Sequence, residues 1–414
     1  MSSVLERVQK LQFEDKAAAE TLLLTFLRET LNLEATNVEL RPLAVSLNSF
    51  NGFLTLSDGK RLFFKTHTEP GGIITEYYNA GQLAQAGYPV LQPVYSSTES
   101  GKQLLIYEVV DLPSAFDTAR QIENGEDAEL AAITRAQNRA DDALFEIYTR
   151  TLEQQTPEDA AKAPVHQLFY HRLTGGRLQQ FYGETGEEVS LQLPDGDTVT
   201  MADVRKAQWE VNGQQYQLSL DELISSAISH LDPQQAGISI IGHGDAHNGN
   251  LFFDAASEKL TYFDPAFAGR HHPLIDLAKP LFHNVFAMWM YFPQETNDEL
   301  FLDVYRHVDE WQIEYEFPLT PVREMFFESK IERVLSPLII ELSRQNALPS
   351  DWRQYLKLAL MCCPLLTMNL ADQQRFPPSI SFLGLAMAVE MGGESYRQRS
   401  LIDRALDEVE RRLG

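Results

Sequence analysis

Cysteine is nearly absent from this 414-residue chain, and the two that occur, Cys362 and Cys363, are adjacent inside an apolar run. That spacing matches no zinc site, so buried thiols in a reducing compartment are expected. Long hydrophobic runs are also lacking. The richest stretch, Val285 to Phe292, falls well short of the roughly 18 apolar residues of a membrane helix and reads as buried core. Glu6, Arg7 and Lys10 follow closely on Met1, where a secretory signal would need an apolar segment, so a cytoplasmic protein is expected. Positive charge is scarce, with 34 Lys and Arg against 59 Asp and Glu and a net charge of −25. Such a balance repels polyanions and argues against nucleic acid or anionic lipid as a partner. A cationic small molecule would be favoured by the field, although an acidic surface also serves solubility alone.

The length suits two lobes and an insertion rather than one core. An amphipathic helix is expected over residues 15–31, followed by strands at 38–44, 53–56 and 61–66, the last two joined by a turn at Ser57-Asp58-Gly59-Lys60. A helix over about 74–86 stops at Gly87 and Pro89, strands resume through Val110, and Asp111-Leu112-Pro113 reads as a hinge. An acidic helix over about 128–155 opens the second part. From 165 to 218 the period becomes that of strands, with turns at Thr174-Gly175-Gly176, Pro194-Asp195-Gly196 and Asn212-Gly213, so three inserted hairpins are expected. The insertion's aromatics, Phe169, Tyr170, Phe181, Tyr182, Trp209 and Tyr216, would form a small core or line a pocket. Beyond Leu274 the pattern is mostly helical.

Chemistry concentrates in His243-Gly244-Asp245-Ala246-His247-Asn248-Gly249-Asn250, with Asp264 fourteen residues further on at the end of an apolar strand. Phosphoryl transfer needs one carboxylate to orient and deprotonate an acceptor hydroxyl and other oxygen ligands to hold magnesium on the nucleotide. Asp245, Asn250 and Asp264 are residues of the right type.

This segment, with Gly269 to Ala278 after it, resembles the catalytic loop and metal-binding aspartate of aminoglycoside phosphotransferases and their choline-kinase-like relatives. The resemblance implies an α+β, protein-kinase-like two-lobed fold. Its small antiparallel sheet with one main helix would occupy residues 1–110, and a larger, mainly helical lobe would occupy 111–414. It further implies transfer of the γ-phosphoryl group of ATP, with Mg2+, to a hydroxyl of a small molecule such as an amino sugar, an aminoglycoside or a choline-like alcohol. Asp245 would be the catalytic base, Asn250 and Asp264 the metal ligands, and His243 and Asp276 the supports of the loop. In the small lobe, Lys65 on a strand and Glu76 on the next helix would set the phosphates. Glu108 and Val110 would offer main-chain hydrogen bonds to adenine. The phosphate-covering loop would be Ser46 to Gly52, with Ser49 in it; a single glycine there departs from the glycine-rich kinase pattern. Three alternatives stay open: a nucleotide-binding pseudokinase, a kinase-fold AMP-transferase, and a metal-dependent phosphohydrolase built on His243, His247, His271, His272 and His283 with Asp245 and Asp264.

Overall fold

Alternating apolar residues build a five-stranded antiparallel sheet in the order Ala35–Leu40, Ser49–Leu56, Arg61–His67, Leu104–Glu108, Tyr95–Ser97. This computed structural model describes residues 3–41, 49–67, 72–97, 99, 101–307 and 310–413. In the strand Arg61–His67, Leu62, Phe64 and Thr66 are buried on one face. Leu62 and Phe64 pack there with Leu23, Leu27 and Val8 from the helices Val4–Glu14 and Lys16–Glu29. The period of two sends Phe63 and Lys65 to the opposite face, where Phe63 packs with Leu105 and Tyr107. The first unit comprises Met1–Leu112 together with Thr261–Ala268.

Two expectations change here. The helix Val4–Glu14, opened by a capping box of Ser3 and Glu6, precedes the one expected from Asp15 and adds to Lys16–Glu29 and Gly72–Ala86 among the described residues. Ser49 to Gly52 are strand and not loop, paired with His67, Thr66, Lys65 and Phe64. Gly52 is required by the sheet: a Cβ there would lie 2.2 Å from the Glu39 carbonyl oxygen. Residues 46–48 of the expected loop, and 42–44 of the expected first strand, lie outside the described residues.

The second unit, Pro113–Leu260 with Gly269–Gly414, is mainly helical. At its centre the helix Trp352–Thr367 packs against Pro378–Gly392 and Pro273–His283. Pro378–Gly392 is buried on nearly every side, the pattern of an interior helix. A three-stranded antiparallel sheet, Gly269–His271, Gly237–Gly242, Glu153–Gln155, delivers the chain to the His243–Asn250 loop.

The insertion is more helical than expected. Thr174 ends the turn of helix Tyr170–Leu173 and Gly175, at φ 128°, follows it, so the first expected hairpin is a helix stop before Arg177–Tyr182. The other two hairpins form, Ser190–Gln192 with Thr198–Thr200 and Gln208–Val211 with Gln214–Tyr216. The second joins a five-stranded sheet with Phe301–Arg306, Glu310–Glu316 and Ser395–Arg397, which corrects the helical reading of residues 301–316. Trp209 packs with its ring centroid 5.9 Å from that of Trp311, tilted by 43°, and Phe169, Tyr182 and Tyr216 are also buried, so these four of the insertion's aromatics form core.

Lys357, in the helix Trp352–Thr367, forms a fully buried ion pair with Asp403 of Leu401–Arg411, and the Ser395 amide and hydroxyl also donate to Asp403. Removing one member strands the other charge away from water. Asp403→Ala is expected to cost about 3–5 kcal/mol of stability, measured by urea unfolding; a loss below about 1 kcal/mol would contradict that account.

Candidate functional site

In the first unit, Lys65 and Asp264 meet although 199 positions separate them: the Lys65 ammonium donates to Asp264 Oδ1 at 2.7 Å. Strand alternation brings Lys65 to this face, and the segment Thr261–Ala268 is stitched beside it. The Leu91 amide donates to the Tyr262 carbonyl and the Tyr262 amide to that of Pro89, both at 2.8 Å, and Tyr88 stands edge-on to the Tyr262 ring at 5.4 Å. Asn79, on the helix Gly72–Ala86, donates to the Pro265 carbonyl at 3.1 Å. Asp264 itself has φ 53°, a left-handed conformation that a non-glycine residue adopts at some cost and that functional sites often hold.

In the second unit the loop after the strand Gly237–Gly242 hangs on one buried carboxylate. Asp276 Oδ1 accepts from the Gly244 amide at 2.5 Å and lies 2.9 Å from His271 Nε2, and the Tyr148 hydroxyl donates to Oδ2. Burial alone would push this carboxyl up, but His271, Tyr148 and the amide outweigh it and hold the pKa at about 2. Space is as tight as charge: a Cβ on Gly242 would lie 2.6 Å from both Asp276 Cγ and His271 Nε2. A second brace reaches the far end of the loop. Arg323 donates to both oxygens of Glu123, at 2.7 and 2.9 Å, and to the Asn284 carbonyl at 3.0 Å, while Asn284 Oδ1 accepts from the Asn248 amide at 2.7 Å.

Between these braces Asp245 is half-buried. Its Oδ1 is shielded from solvent and has no hydrogen-bond partner among the described residues, and Oδ2 lies 3.9 Å from His247 Nε2. A carboxylate oxygen held this way can take a hydrogen bond, and then a proton, from a hydroxyl. Asn250 donates through Nδ2 to the Asp245 carbonyl at 2.9 Å, which turns its Oδ1 into the atom available to a ligand.

The remaining expected residues fall as follows. Ser49 begins its strand opposite His67, and Glu76 lies within the helix Gly72–Ala86; both side chains lie outside the described part. Glu108 ends its strand with an exposed side chain paired to Lys60 at 2.6 Å, and Val110 follows outside any strand or helix. His243 is fully buried at the start of the loop. No local signal marks Glu123, Arg323 or Asn284, because each works through a partner distant in the chain.

Asn250 and Asp264 offer hard oxygen donors of the kind magnesium takes. Among the described residues, no three of His, Cys, Asp and Glu form a metal-binding cluster. The histidines that suggested one are engaged otherwise: His271 on Asp276, His272 accepting from the Leu274 amide at 3.2 Å, and His247 accepting from the Gly249 amide at 3.1 Å. Taken singly, the Asn250 amide oxygen and the Asp264 carboxylate are donors of the type that fits magnesium.

The model of the phosphotransferase enzyme family (APH) matches residues 39–316, and the chain belongs to that family. No curated protein matches the sequence. Among solved structures it is similar to an amicoumacin kinase in complex with AMP-PNP and Ca2+, at 13% identity over 92% of this chain and 94% of that one, with a TM-score of 0.48. It is also similar to a thermostable mutant of aminoglycoside phosphotransferase APH(4)-Ia in its apo form, at 13% identity over 89% and 98%, TM-score 0.46. A macrolide 2'-phosphotransferase from Brachybacterium faecium matches at 13% identity over 88% and 97%, TM-score 0.36. Among the described residues, no helix is long and apolar enough to cross a membrane.

Because the folded pKa of Asp276 lies below that of a free carboxylate, its contribution is present above about pH 4 and is lost as pH falls towards 2. Replacing it removes that dependence: the stability of Asp276→Asn is expected to fall by about 2–3 kcal/mol less than that of the wild type between pH 5 and pH 2, read from unfolding at each pH. Parallel curves would contradict the network. Gly242→Ala is expected to cost about 1–3 kcal/mol through overpacking, and an unchanged melting temperature would argue against the close approach.

Proposed function

We propose that this chain is an ATP-dependent kinase of a small-molecule alcohol. The observation that carries the reading is the Lys65–Asp264 pair: an ammonium and a carboxylate from distant segments, on one face of the sheet, where a phosphotransferase needs one cation for phosphates and one anion for a metal.

In this mechanism Lys65 would hold the α- and β-phosphate oxygens, and Asp264 would offer its carboxylate to magnesium. Glu76 would hold Lys65 in place, and the main chain at Glu108 and Val110 would receive adenine. Ser49, at the start of its strand, would contribute at the phosphates. Bound magnesium would neutralise charge on the phosphates as it builds towards the leaving ADP. In the second unit, Asn250 would offer its Oδ1 to the metal while its amide keeps the Asp245 carbonyl fixed. Asp245 would orient the acceptor hydroxyl and take its proton as the oxygen bonds to the γ-phosphorus and the bond to the β-bridging oxygen breaks. The network around Asp276, with His243 buried at the start of the loop, would keep the base from drifting, and positioning is the larger part of catalysis in such a transfer.

Asp245→Asn keeps the shape and removes the base. It is expected to lower kcat by about 10²–10⁴-fold in an ADP-release assay over alcohols, sugars and amino sugars, with Mg·ATP affinity within about twofold. Turnover at the wild-type rate would contradict the role of Asp245. Release of pyrophosphate in place of ADP would make the chain an AMP-transferase, and nucleotide binding with no product would make it a pseudokinase. Lys65→Met is expected to weaken Mg·ATP binding by at least about tenfold, since a charge-assisted phosphate contact is lost; calorimetry checks it.

A further inference from the structure

Beside Asp245, within the second unit, stand three cations that the roles above leave unused. Lys279, on the helix Pro273–His283, is only 4% exposed, yet no carboxylate pairs with it among the described residues. Its ammonium donates to Thr367 Oγ1 at 3.4 Å and faces His283 Nε2 at 3.3 Å. His283 Nδ1 in turn lies 2.8 Å from the Tyr291 hydroxyl. Burial, with Lys279 beside it, holds the His283 pKa well below its usual value, so the ring meets the ammonium as a neutral acceptor.

Arg172 and Arg177 approach from the insertion. Each donates through Nη1 to the Leu366 carbonyl, at 3.5 and 3.1 Å, and Arg177 also to that of Thr367 at 2.7 Å. These carbonyls end the helix Trp352–Thr367 and occupy one nitrogen of each guanidinium, which carries five N–H donors in all. Neither arginine has a carboxylate partner among the described residues. The group borders the base: the His247 and His283 rings are 5.6 Å apart, His247 Nε2 is 3.9 Å from Asp245 Oδ2, and the negative charge of Asp245 is felt at Arg172 and Lys279.

Withdrawing Lys279 from water, and Arg172 and Arg177 in part, with no carboxylate paired to any of them among the described residues, costs stability. Burial lowers the Arg172 pKa to about 10, with Arg177 adding repulsion, and lowers that of Lys279 as well. The fold gains no ion pair from the arrangement, whereas a ligand that brings negative charge would relieve it. The net charge of −25 favours cations at long range, but at physiological salt the Debye length is about 8 Å, so the groups in contact decide. We propose that the acceptor is an alcohol bearing an anionic group, carboxylate or phosphate, that Lys279, Arg172 and Arg177 hold while its hydroxyl faces Asp245. The hydroxyl half of this statement rests on the phosphotransferase reading; the anion site does not.

The test uses the full chain and matched probes: gluconate and glycerate, glucose 6-phosphate and glycerol 3-phosphate, neutral glucose and glycerol, and cationic glucosamine and choline. Binding is measured by calorimetry, and ADP release in parallel with Mg·ATP. Members of one anionic pair are expected to bind at least about tenfold tighter than their neutral counterparts, and which pair does so separates carboxylate from phosphate. Lys279→Met is expected to abolish that preference while leaving Mg·ATP affinity unchanged and raising the melting temperature, because it removes a buried charge that lacks a counter-ion. Arg172→Gln is expected to weaken the same probes without that stabilisation being required. A Lys279→Met variant that melts lower and binds every probe as the wild type does would mark the lysine as structural and overturn the proposal. So would ADP release with neutral or cationic acceptors only, unaffected by Lys279→Met, and that result would leave the kinase reading intact. Anion binding that depends on Lys279, with no ADP released from any acceptor, would uphold the anion site and sink the kinase reading instead.

Discussion

A carboxylate can keep its charge in a protein interior only if donors surround it, and the geometry of the His243–Asn250 loop follows from that requirement at Asp276. The Gly244 amide, His271 and Tyr148 converge on its two oxygens. Each arrives on a different element: the loop itself, the strand Gly269–His271, and the helix Leu130–Thr151. One buried anion therefore ties a strand, a helix and a loop together, and the absence of a side chain at Gly242 lets them come close enough to do so. The Glu123–Arg323–Asn284 chain acts from the other side through the Asn248 amide, so the loop is pinned at both ends and Asp245 sits in the span between.

Much of this site was legible because its chemistry is packed into a few contiguous residues. The His243–Asn250 run carries its carboxylate, amide and glycines within eight positions, and Lys65 is visible because strand alternation is a local signal. What failed was reading meaning into glycines and apolar patterns that depend on remote partners. Gly52 looked like part of a phosphate-covering loop, yet it is a strand glycine demanded by the Glu39 carbonyl across the sheet. Gly175 and Gly176 looked like a hairpin turn but follow a helical stop. Within residues 301–316, Glu310–Ile313 pair with Gln208–Val211, about a hundred positions earlier, which no local period announces. Glu123, Arg323 and Asn284 were silent for the same reason.

Charge is organised on two scales. Over the whole chain the excess is acidic, which governs solubility and long-range encounter. Around Asp245 the sign reverses, with Lys279, Arg172 and Arg177 set against one carboxylate. A protein selected for stability alone would fill that place with apolar or paired groups, so the cost is a reason to look for a ligand there. In the proposed reading, phosphate handling and acceptor recognition are separable: the first would draw on Lys65, Asp264, Asn250 and Asp245, the second on side chains of the insertion and of the helix Pro273–His283.

The most direct measurement is a crystal structure of the chain grown with Mg·AMP-PNP. The account requires the Lys65–Asp264 contact to open, with the lysine amine on phosphate oxygens and the aspartate on the metal. A nucleotide bound elsewhere, with that ion pair intact at its present 2.7 Å, would contradict it.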